Sequence, residues 1–192
     1  MKVSLTLPVG ERDHVEGSGE APITLVEYGD YECPHCGAAY PIVKALQREL
    51  GSKLRFVYRN FPIREIHPHA QAAAEAAEAA GAQDRFWEMH DALFEGQERL
   101  DLSTLLQRAV ALQLDVARWE RDMRGRAFSE RVQEDFLSGL RSGVNGTPTF
   151  FINGRRHDGP FDETSLRVAM EAVLDQEASS GLGPSWLGVT AT

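Results

Sequence analysis

The stretch YECPHCGAAYP, residues 31–41, carries both cysteines of the chain, Cys33 and Cys36, with a proline and a histidine between them. The run before it, ITLVEY (23–28), is apolar and β-branched, which predicts a buried strand. After it, apolar residues recur at helical spacing as far as Leu50, and the glycine that follows is placed to end that helix. We therefore expect the cysteine pair where a strand passes into a helix.

Further strands are predicted on both sides of this point. KLRFVYRNF (53–61) predicts a second strand, and strand, helix and strand in this order form a βαβ unit with parallel strands and a right-handed connection. The alternating run VSLTL (3–7) suggests an edge strand. TPTFFING (147–154) predicts a strand that opens with proline, and its NG pair predicts a tight turn into an antiparallel RRHDG. These runs favour an α/β fold.

The middle of the chain predicts helices and no strand. HAQAAAEAAEAAG is rich in alanine and glutamate, which favour a helix, and Gly81 is placed to end it. DLSTLLQRAVAL predicts a second helix with Asp101 as its N-cap. SERVQEDFLSGL predicts a third, with three apolar side chains on one face: Val132, Phe136 and Leu140.

We expect four segments along the chain. Residues 1–61 hold the βαβ unit with the cysteines, 62–142 form the helical insertion, and 143–178 contain the late strand, its hairpin and a final helix from about Asp162. The segment 179–192 is rich in glycine and serine and is expected to be a flexible tail.

Composition limits the possible functions. The chain has 192 residues, long enough for a sizeable core, with 20 Lys and Arg against 29 Asp and Glu and a net charge of −9. This charge disfavours nucleic acid and anionic membrane surfaces as partners. No run approaches the roughly 20 apolar residues that span a bilayer, so no membrane insertion is expected. The first thirty residues lack a secretion signal, so we expect the cytoplasm, with export left open for a chain that has lost its leader.

The position of the cysteines suggests redox chemistry. At a helix start, unpaired N–H groups and the helix dipole favour an anion such as a thiolate. We expect Cys33 at this position, exposed, as the attacking thiolate, and Cys36 one turn on, partly covered, as the resolving thiol. Pro34 suits the first helical turn, where its missing N–H goes unused.

The cysteine pair has two other interpretations. A structural zinc site needs four ligands, and only histidines such as His67 and His69 could complete one. These two histidines fit a solvated or capping position at a helix start better than ligation. Inert, buried cysteines are disfavoured by the proline and histidine between them. We expect no metal and no cofactor.

Two separated motifs carry a resemblance to a known family. The chain resembles the DsbA family of thioredoxin-fold thiol-disulfide oxidoreductases, through YGDYECPHC (28–36) and GTPTFFING (146–154). The helical segment, with HPHAQAAAEAAEAA and FWEMHDALF, is similar as well. The resemblance covers roughly residues 12–175 and implies a thioredoxin-like fold with an inserted all-helical subdomain.

The resemblance also implies roles for seven positions. Cys33 matches the family's nucleophile and Cys36 its resolving cysteine, with Pro34 and His35 as the dipeptide between them. His35 matches the residue that stabilises the thiolate, which makes the disulfide a strong oxidant.

Three positions outside the cysteine motif complete the set. Pro148 matches a proline whose cis peptide bond places it beside the disulfide, and Thr147 matches a residue that offers backbone groups to an extended substrate. Glu27 lies six residues before Cys33, as does the family's buried acid, and is expected to relay the proton of Cys36.

The implied activity is disulfide exchange with protein dithiols. Its direction is left open, because a reducing cytosol would hold an oxidising pair largely as dithiol. The expected partners are protein or peptide thiol and disulfide substrates and an unidentified redox partner, and we expect a monomer. The alternative is a thioredoxin-fold peptide-binding or chaperone-like module whose cysteines are dispensable.

Overall fold

The computed structural model describes residues 3–180. Its contacts divide the chain into two compact units. The sheet unit comprises the described chain up to Tyr28, Ala39–Arg59, and the described chain from Ser138 onward; the helical unit comprises Gly29–Ala38 and Asn60–Leu137. These divisions fall at other positions than the four expected segments, because the short stretch around the cysteines groups with the helices. The expected tail 179–192 lies almost entirely outside the described residues.

Among the described residues, the sheet has five strands in the order β1-β3-β2-β4-β5. Their bounds are His14–Glu16 for β1, Ile23–Gly29 for β2, Leu54–Asn60 for β3, Thr149–Ile152 for β4 and Arg155–Arg156 for β5. Strands β1 and β3, β2 and β4, and β4 and β5 pair antiparallel. Every residue of β2 and β3 is buried, including the charged side chains of Glu27, Arg55 and Arg59.

The predicted edge strand at residues 3–7 forms only as an isolated antiparallel bridge between Ser4 and Arg155 of β5. The short strand β1, which pairs with β3 at the opposite edge of the sheet, was not predicted. Alternation of apolar and polar residues indicates a strand, but how far its pairing extends depends on where the rest of the chain leads the segment.

Two helices belong wholly or mainly to the sheet unit. Helix α1 spans Pro34–Leu50, as predicted, and Gly51 follows it with a φ of +51°, in the left-handed region that glycine adopts without strain. Helix α7, Glu163–Ser180, packs on β4 and buries Leu166 and Met170. The predicted hairpin turn is present at Asn153 and Gly154, both with positive φ.

The helical unit is built around α2, Ala70–Gly81, which packs against three other helices. These are α3 (Phe86–Glu95), α4 (Leu102–Ala111) and α5 (Val116–Gly125). Eight of its twelve residues are alanines, whose small side chains let neighbouring helices approach closely. The predicted cap of α4 is confirmed, because the Asp101 carboxylate accepts from the N–H groups of Ser103 and Thr104.

Helix α6, Ser129–Arg141, buries only part of the predicted face. Val132 is buried and Phe136 is half-buried in a ring stack, as expected, but Leu140 is 49% exposed. The polar residues Asp135 and Ser138 are buried as well. The Asp135 carboxylate accepts from the Asn60 N–H at 3.1 Å. Hydrogen bonds thus turn a polar face inward, which hydrophobic spacing does not predict. Within residues 3–180, none of the helices is both long and apolar enough to cross a membrane.

Candidate functional site

The cysteine pair lies where β2 gives way to α1, as the sequence predicted. Strand β2 ends at Gly29 and α1 begins at Pro34. The Cys33 carbonyl accepts the helical hydrogen bond from the Gly37 N–H at 3.0 Å, so Cys33 holds the N-cap position of α1. Proline follows at the first helical position, where it leaves no backbone donor unused. Cys36 lies in the first turn of α1.

The two cysteines are both buried. Cys36 is 0% exposed and Cys33 is 4% exposed, whereas the dipeptide between them, Pro34 and His35, is exposed. The order of exposure agrees with an outer and an inner cysteine, but Cys33 is far less exposed than predicted. The reason lies in the short loop before α1, residues 30–33, whose backbone is held inward by hydrogen bonds from other parts of the helical unit.

Gln97, in the loop after α3, provides one such anchor. Its Nε2 donates to the carbonyl oxygens of Tyr31 and Cys33, each at 2.8 Å. Its Oε1 lies over Gly37, where a Cβ atom would clash with it. A single amide therefore holds the backbone on both sides of Glu32, and a side chain at position 37 would displace it.

Asp30 provides the other anchor. Its carboxylate is buried and accepts from the N–H of Glu32 through Oδ1 and from the N–H of Ile63 through Oδ2, both at 2.8 Å. Its Oδ2 also lies 2.8 Å from Nδ1 of His67. The backbone of the same residue faces the cysteines: its carbonyl accepts from the Cys33 N–H.

The Asp30 backbone also contacts the inner sulfur. Its N–H donates to Cys36 Sγ at 3.4 Å. A hydrogen bond to sulfur favours the charged thiolate over the thiol. The Asp30 residue thus combines a buried, hydrogen-bonded carboxylate with a backbone donor on a sulfur atom.

Tyr31 anchors the same loop through aromatic contacts. Its hydroxyl lies 3.1 Å from Nδ1 of His90, and its ring lies 4.9 Å from the ring of Phe94. Both partners are on α3. The tyrosine of the YECPHC motif is therefore a buried packing residue.

The three remaining predicted residues lie in the sheet unit. Glu27 is on β2, 3% exposed, with Phe150 of β4 as its register partner. The Thr147–Pro148 peptide bond is cis, and both residues are half-buried immediately before β4. The four predicted residues of the CPHC motif lie in the helical unit. The role of each of these seven residues stays a prediction.

The two candidate zinc-binding histidines have other contacts. The His67 ring pairs with Asp30, and His69 is the N-cap residue of α2, whose own N–H donates to Glu32 Oε2 at 2.5 Å. Across the part of the chain that the structure describes, no three His, Cys, Asp or Glu side chains are grouped to hold a metal ion.

Sequence reasoning missed Asp30, His67 and Gln97 as parts of this site. A charged residue directly between a buried strand and the cysteines was a usable signal for Asp30, because such a side chain is buried only with partners. Nothing in the sequence marks Gln97, whose contact spans 64 residues of chain.

Comparison with known proteins identifies the family. A family model described as Thioredoxin matches residues 10–172, and the chain belongs to this family. The predicted thioredoxin-like α/β fold is confirmed. Structures similar to it include BdbD from Bacillus subtilis, with a TM-score of 0.81, 24% identity, and coverage of 91% of this chain and 98% of that one. α-DsbA1 from Wolbachia pipientis has a TM-score of 0.79 at 18% identity, covering 93% and 98%.

A third solved structure is closer in sequence. It is a thioredoxin-like oxidoreductase from Silicibacter pomeroyi DSS-3, with a TM-score of 0.75 and 27% identity, covering 88% of this chain and 94% of that one. The resemblance to the DsbA family is thus confirmed at the level of fold and of the CXXC motif.

The curated sequence relatives are named as transporters and not as oxidoreductases. A Na(+)/H(+) antiporter NhaA 3 from Salinispora tropica is 46% identical over 183 residues, which is 95% of this chain but 28% of that protein. A Na(+)/H(+) antiporter NhaA 1 from Salinispora arenicola is 47% identical, over 90% of this chain and 26% of that protein. The chain spans little more than a quarter of the length of these relatives.

Proposed function

We propose that the chain is a thiol-disulfide oxidoreductase that exchanges disulfides with protein dithiols through Cys33 and Cys36. The observation that carries this proposal is the cysteine pair at the start of α1, with one cysteine at the N-cap and a backbone N–H on the sulfur of the other. The oxidoreductase with 27% identity and the same fold supports it. A similar fold alone would not support the proposal, because one fold serves many functions.

The exchange proceeds in two substitutions at sulfur. A substrate thiolate attacks Cys33 Sγ of the Cys33–Cys36 disulfide, so a mixed disulfide forms and Cys36 leaves as a thiolate. A second substrate thiolate then attacks the substrate sulfur of the mixed disulfide and releases Cys33 as a thiolate. The substrate gains a disulfide and loses two electrons and two protons, and the protein gains the two electrons as a dithiol.

The same steps run in reverse when the protein reduces a substrate. Their direction depends on the reduction potential of the pair relative to the surrounding thiol pool and to the redox partner that recharges the pair. Hydrogen bonds and the α1 N-terminus at the sulfurs favour thiolates and hence the dithiol state, which favours oxidation of substrates. On the strength of the family resemblance, Thr147 and Pro148 are proposed to bind substrate.

Two single substitutions test the division of labour. Cys33→Ser should abolish both insulin reduction and oxidative refolding of a reduced protein, because the attacking sulfur is gone. Cys36→Ser should still react but stall as a mixed disulfide that is visible on a non-reducing gel. Adducts on Cys33→Ser and none on Cys36→Ser would reverse the assignment.

A double Cys33→Ser, Cys36→Ser variant separates this function from the alternative of a peptide-binding module. An oxidoreductase loses all exchange in this variant. For a chaperone-like module, the double variant would keep an aggregation-prone client protein soluble as well as the parent does, and the parent would show no measurable disulfide exchange. That pair of results would overturn the proposal.

A second candidate concerns the partner. Because 95% of the chain matches part of a Na(+)/H(+) antiporter, we propose that such a transporter is a physiological partner of this redox unit. Cys36→Ser, which retains its mixed disulfides, should trap the antiporter when incubated with membranes that contain it. The Cys33→Ser variant is the matched control and should trap none. Equal recovery with the two variants would contradict the partnership.

A further inference from the structure

The loop before α1 depends on a buried acid that lies one contact away from the chemistry. Asp30 is 1% exposed, and its carboxylate accepts two backbone N–H groups, those of Glu32 and Ile63. The His67 ring, on the turn after Ile63, closes the cluster at 2.8 Å. A carboxylate with this many partners holds one rotamer, because every alternative leaves buried donors unsatisfied.

The backbone of the same residue is thereby held in place. The Asp30 N–H points at Cys36 Sγ at 3.4 Å, and the Asp30 carbonyl receives the Cys33 N–H at 3.1 Å. One residue therefore connects the side-chain cluster to both cysteines. The carboxylate itself makes no hydrogen bond to sulfur, and its own hydrogen bonds act on the two cysteines through the Asp30 backbone.

We propose that Asp30, secured by His67, is a positioning residue that sets the redox equilibrium of the Cys33–Cys36 pair. The sulfur of a free cysteine, most strongly as a thiolate, accepts a hydrogen bond better than a disulfide sulfur does, so the oriented N–H at Cys36 stabilises the dithiol state. Loss of the carboxylate frees the loop, weakens this bond and shifts the pair toward the disulfide. The inference rests on the proposed exchange activity and adds a determinant of its potential.

The chain offers a matched control at the next carboxylate, two residues along. Glu32 lies in the same loop, and its Oε2 accepts from the His69 N–H at the start of α2. Its side chain supports the position of α2 rather than the Asp30 backbone. Glu32→Ala therefore removes a carboxylate from the same loop and leaves the hydrogen bonds of Asp30 in place.

The measurement is the equilibrium of each variant with glutathione. Oxidised protein and two glutathione molecules give the dithiol protein and one glutathione disulfide, and the fraction of dithiol is measured by thiol alkylation. We expect Asp30→Ala to shift the constant about tenfold toward the protein disulfide, the equivalent of about 30 mV for a two-electron couple. His67→Ala should shift it in the same direction by a smaller factor, because the two backbone donors remain on the carboxylate.

Conservative variants separate positioning from general stability. His67→Gln, which can still donate to Asp30, should restore the parent constant, and Glu32→Ala should leave it unchanged. If Asp30→Ala does not fold, the comparison of His67→Ala with His67→Gln carries the test. Parent-like constants in Asp30→Ala and His67→Ala, or an equal shift in Glu32→Ala, would overturn the inference. A parent that does not exchange with glutathione at all would instead refute the proposed function.

Discussion

At the scale of single residues, buried charges are the costliest features of this chain. Arg59 on β3 has a fully buried side chain and binds the equally buried Asp13 through two hydrogen bonds of 2.8 and 3.0 Å. Burial alone would lower the pKa of the Arg59 guanidinium, but the hydrogen bonds and charge of Asp13 raise it above its ordinary value. The pair ties the segment before β1 to the centre of the sheet unit.

Removal of the buried acid should therefore be strongly destabilising. Asp13→Ala leaves a buried guanidinium without its carboxylate, and we expect a loss of about 3–5 kcal/mol in the free energy of unfolding. Urea titration followed by circular dichroism measures this. Glu11→Ala, two residues away and exposed, should change stability by less than about 0.5 kcal/mol. Equal effects of the two substitutions would contradict the role of the pair.

His35 makes a second residue-scale prediction. It lies exposed in the first turn of α1, next to the N-cap cysteine. A ring that donates an N–H or carries a proton stabilises a neighbouring thiolate. We expect His35→Gly to lower the thiolate absorbance of Cys33 at neutral pH and to make the pair a weaker oxidant against glutathione. His157→Gly, in the sheet unit, is the control, and a more oxidising His35→Gly would refute this role.

At the scale of elements, the start of α1 balances helix formation against loop anchoring. Gly37 costs the helix roughly 1 kcal/mol relative to alanine. Its missing side chain leaves room for Gln97, whose amide holds the carbonyls of Tyr31 and Cys33. Gly37 thus lowers the helix propensity of α1 but leaves the space through which Gln97 reaches the loop of residues 30–33.

A double-mutant cycle tests this balance. Gly37→Ala should fail to stabilise the parent, because the new Cβ displaces Gln97 and its two hydrogen bonds. In a Gln97→Ala background the same substitution should stabilise by up to about 1 kcal/mol, since the space is then empty. Gly125→Ala at the end of α5, where a Cβ meets nothing within 4 Å, should respond identically in both backgrounds. Additive effects of Gly37→Ala and Gln97→Ala would disprove the coupling.

At the scale of the whole molecule, the free energy of unfolding should depend on pH through Asp135, a buried acid on α6. Burial raises the pKa of Asp135, although the neighbouring Arg131 acts in the opposite direction. The folded state therefore holds this proton at pH values where the unfolded chain, with an ordinary value near 3.9, has lost it. Where the folded state binds more protons, stability falls as pH rises.

The prediction concerns how the free energy of unfolding changes with pH. The stability advantage of the parent over Asp135→Asn should be largest at acid pH and should decrease as pH rises through the raised pKa of Asp135, by about 1.4 kcal/mol for each unit by which that pKa is raised. Urea unfolding at several pH values measures the difference. Glu134→Gln removes the adjacent, exposed carboxylate and should not reproduce this trend. A difference that does not change with pH would contradict it.

The elements and the chemical motif could be predicted from local sequence. Residues 23–28 predict β2, the apolar spacing up to Leu50 predicts α1, and Asp101 predicts the cap of α4, because hydrophobic periodicity and capping depend on neighbours within a few residues. The same reasoning placed Cys33 and Cys36 at the junction of β2 and α1. The inner face of α6 was predicted only in part, because hydrogen bonds to distant partners also bury its polar residues.

What the sequence by itself determined is the run from β2 through α1 to β3, the late strand with its hairpin, the thioredoxin-like class and the position of the cysteine pair at a helix start. Only the tertiary structure decided how deeply Cys33 is buried and which groups hold its loop. The Asp30 carboxylate hydrogen-bonds Ile63 and His67, more than 30 residues along the chain, and Gln97 hydrogen-bonds Cys33 across 64 residues. Such contacts form because folding brings buried donors and acceptors together, and no local pattern in the sequence encodes which partners will meet.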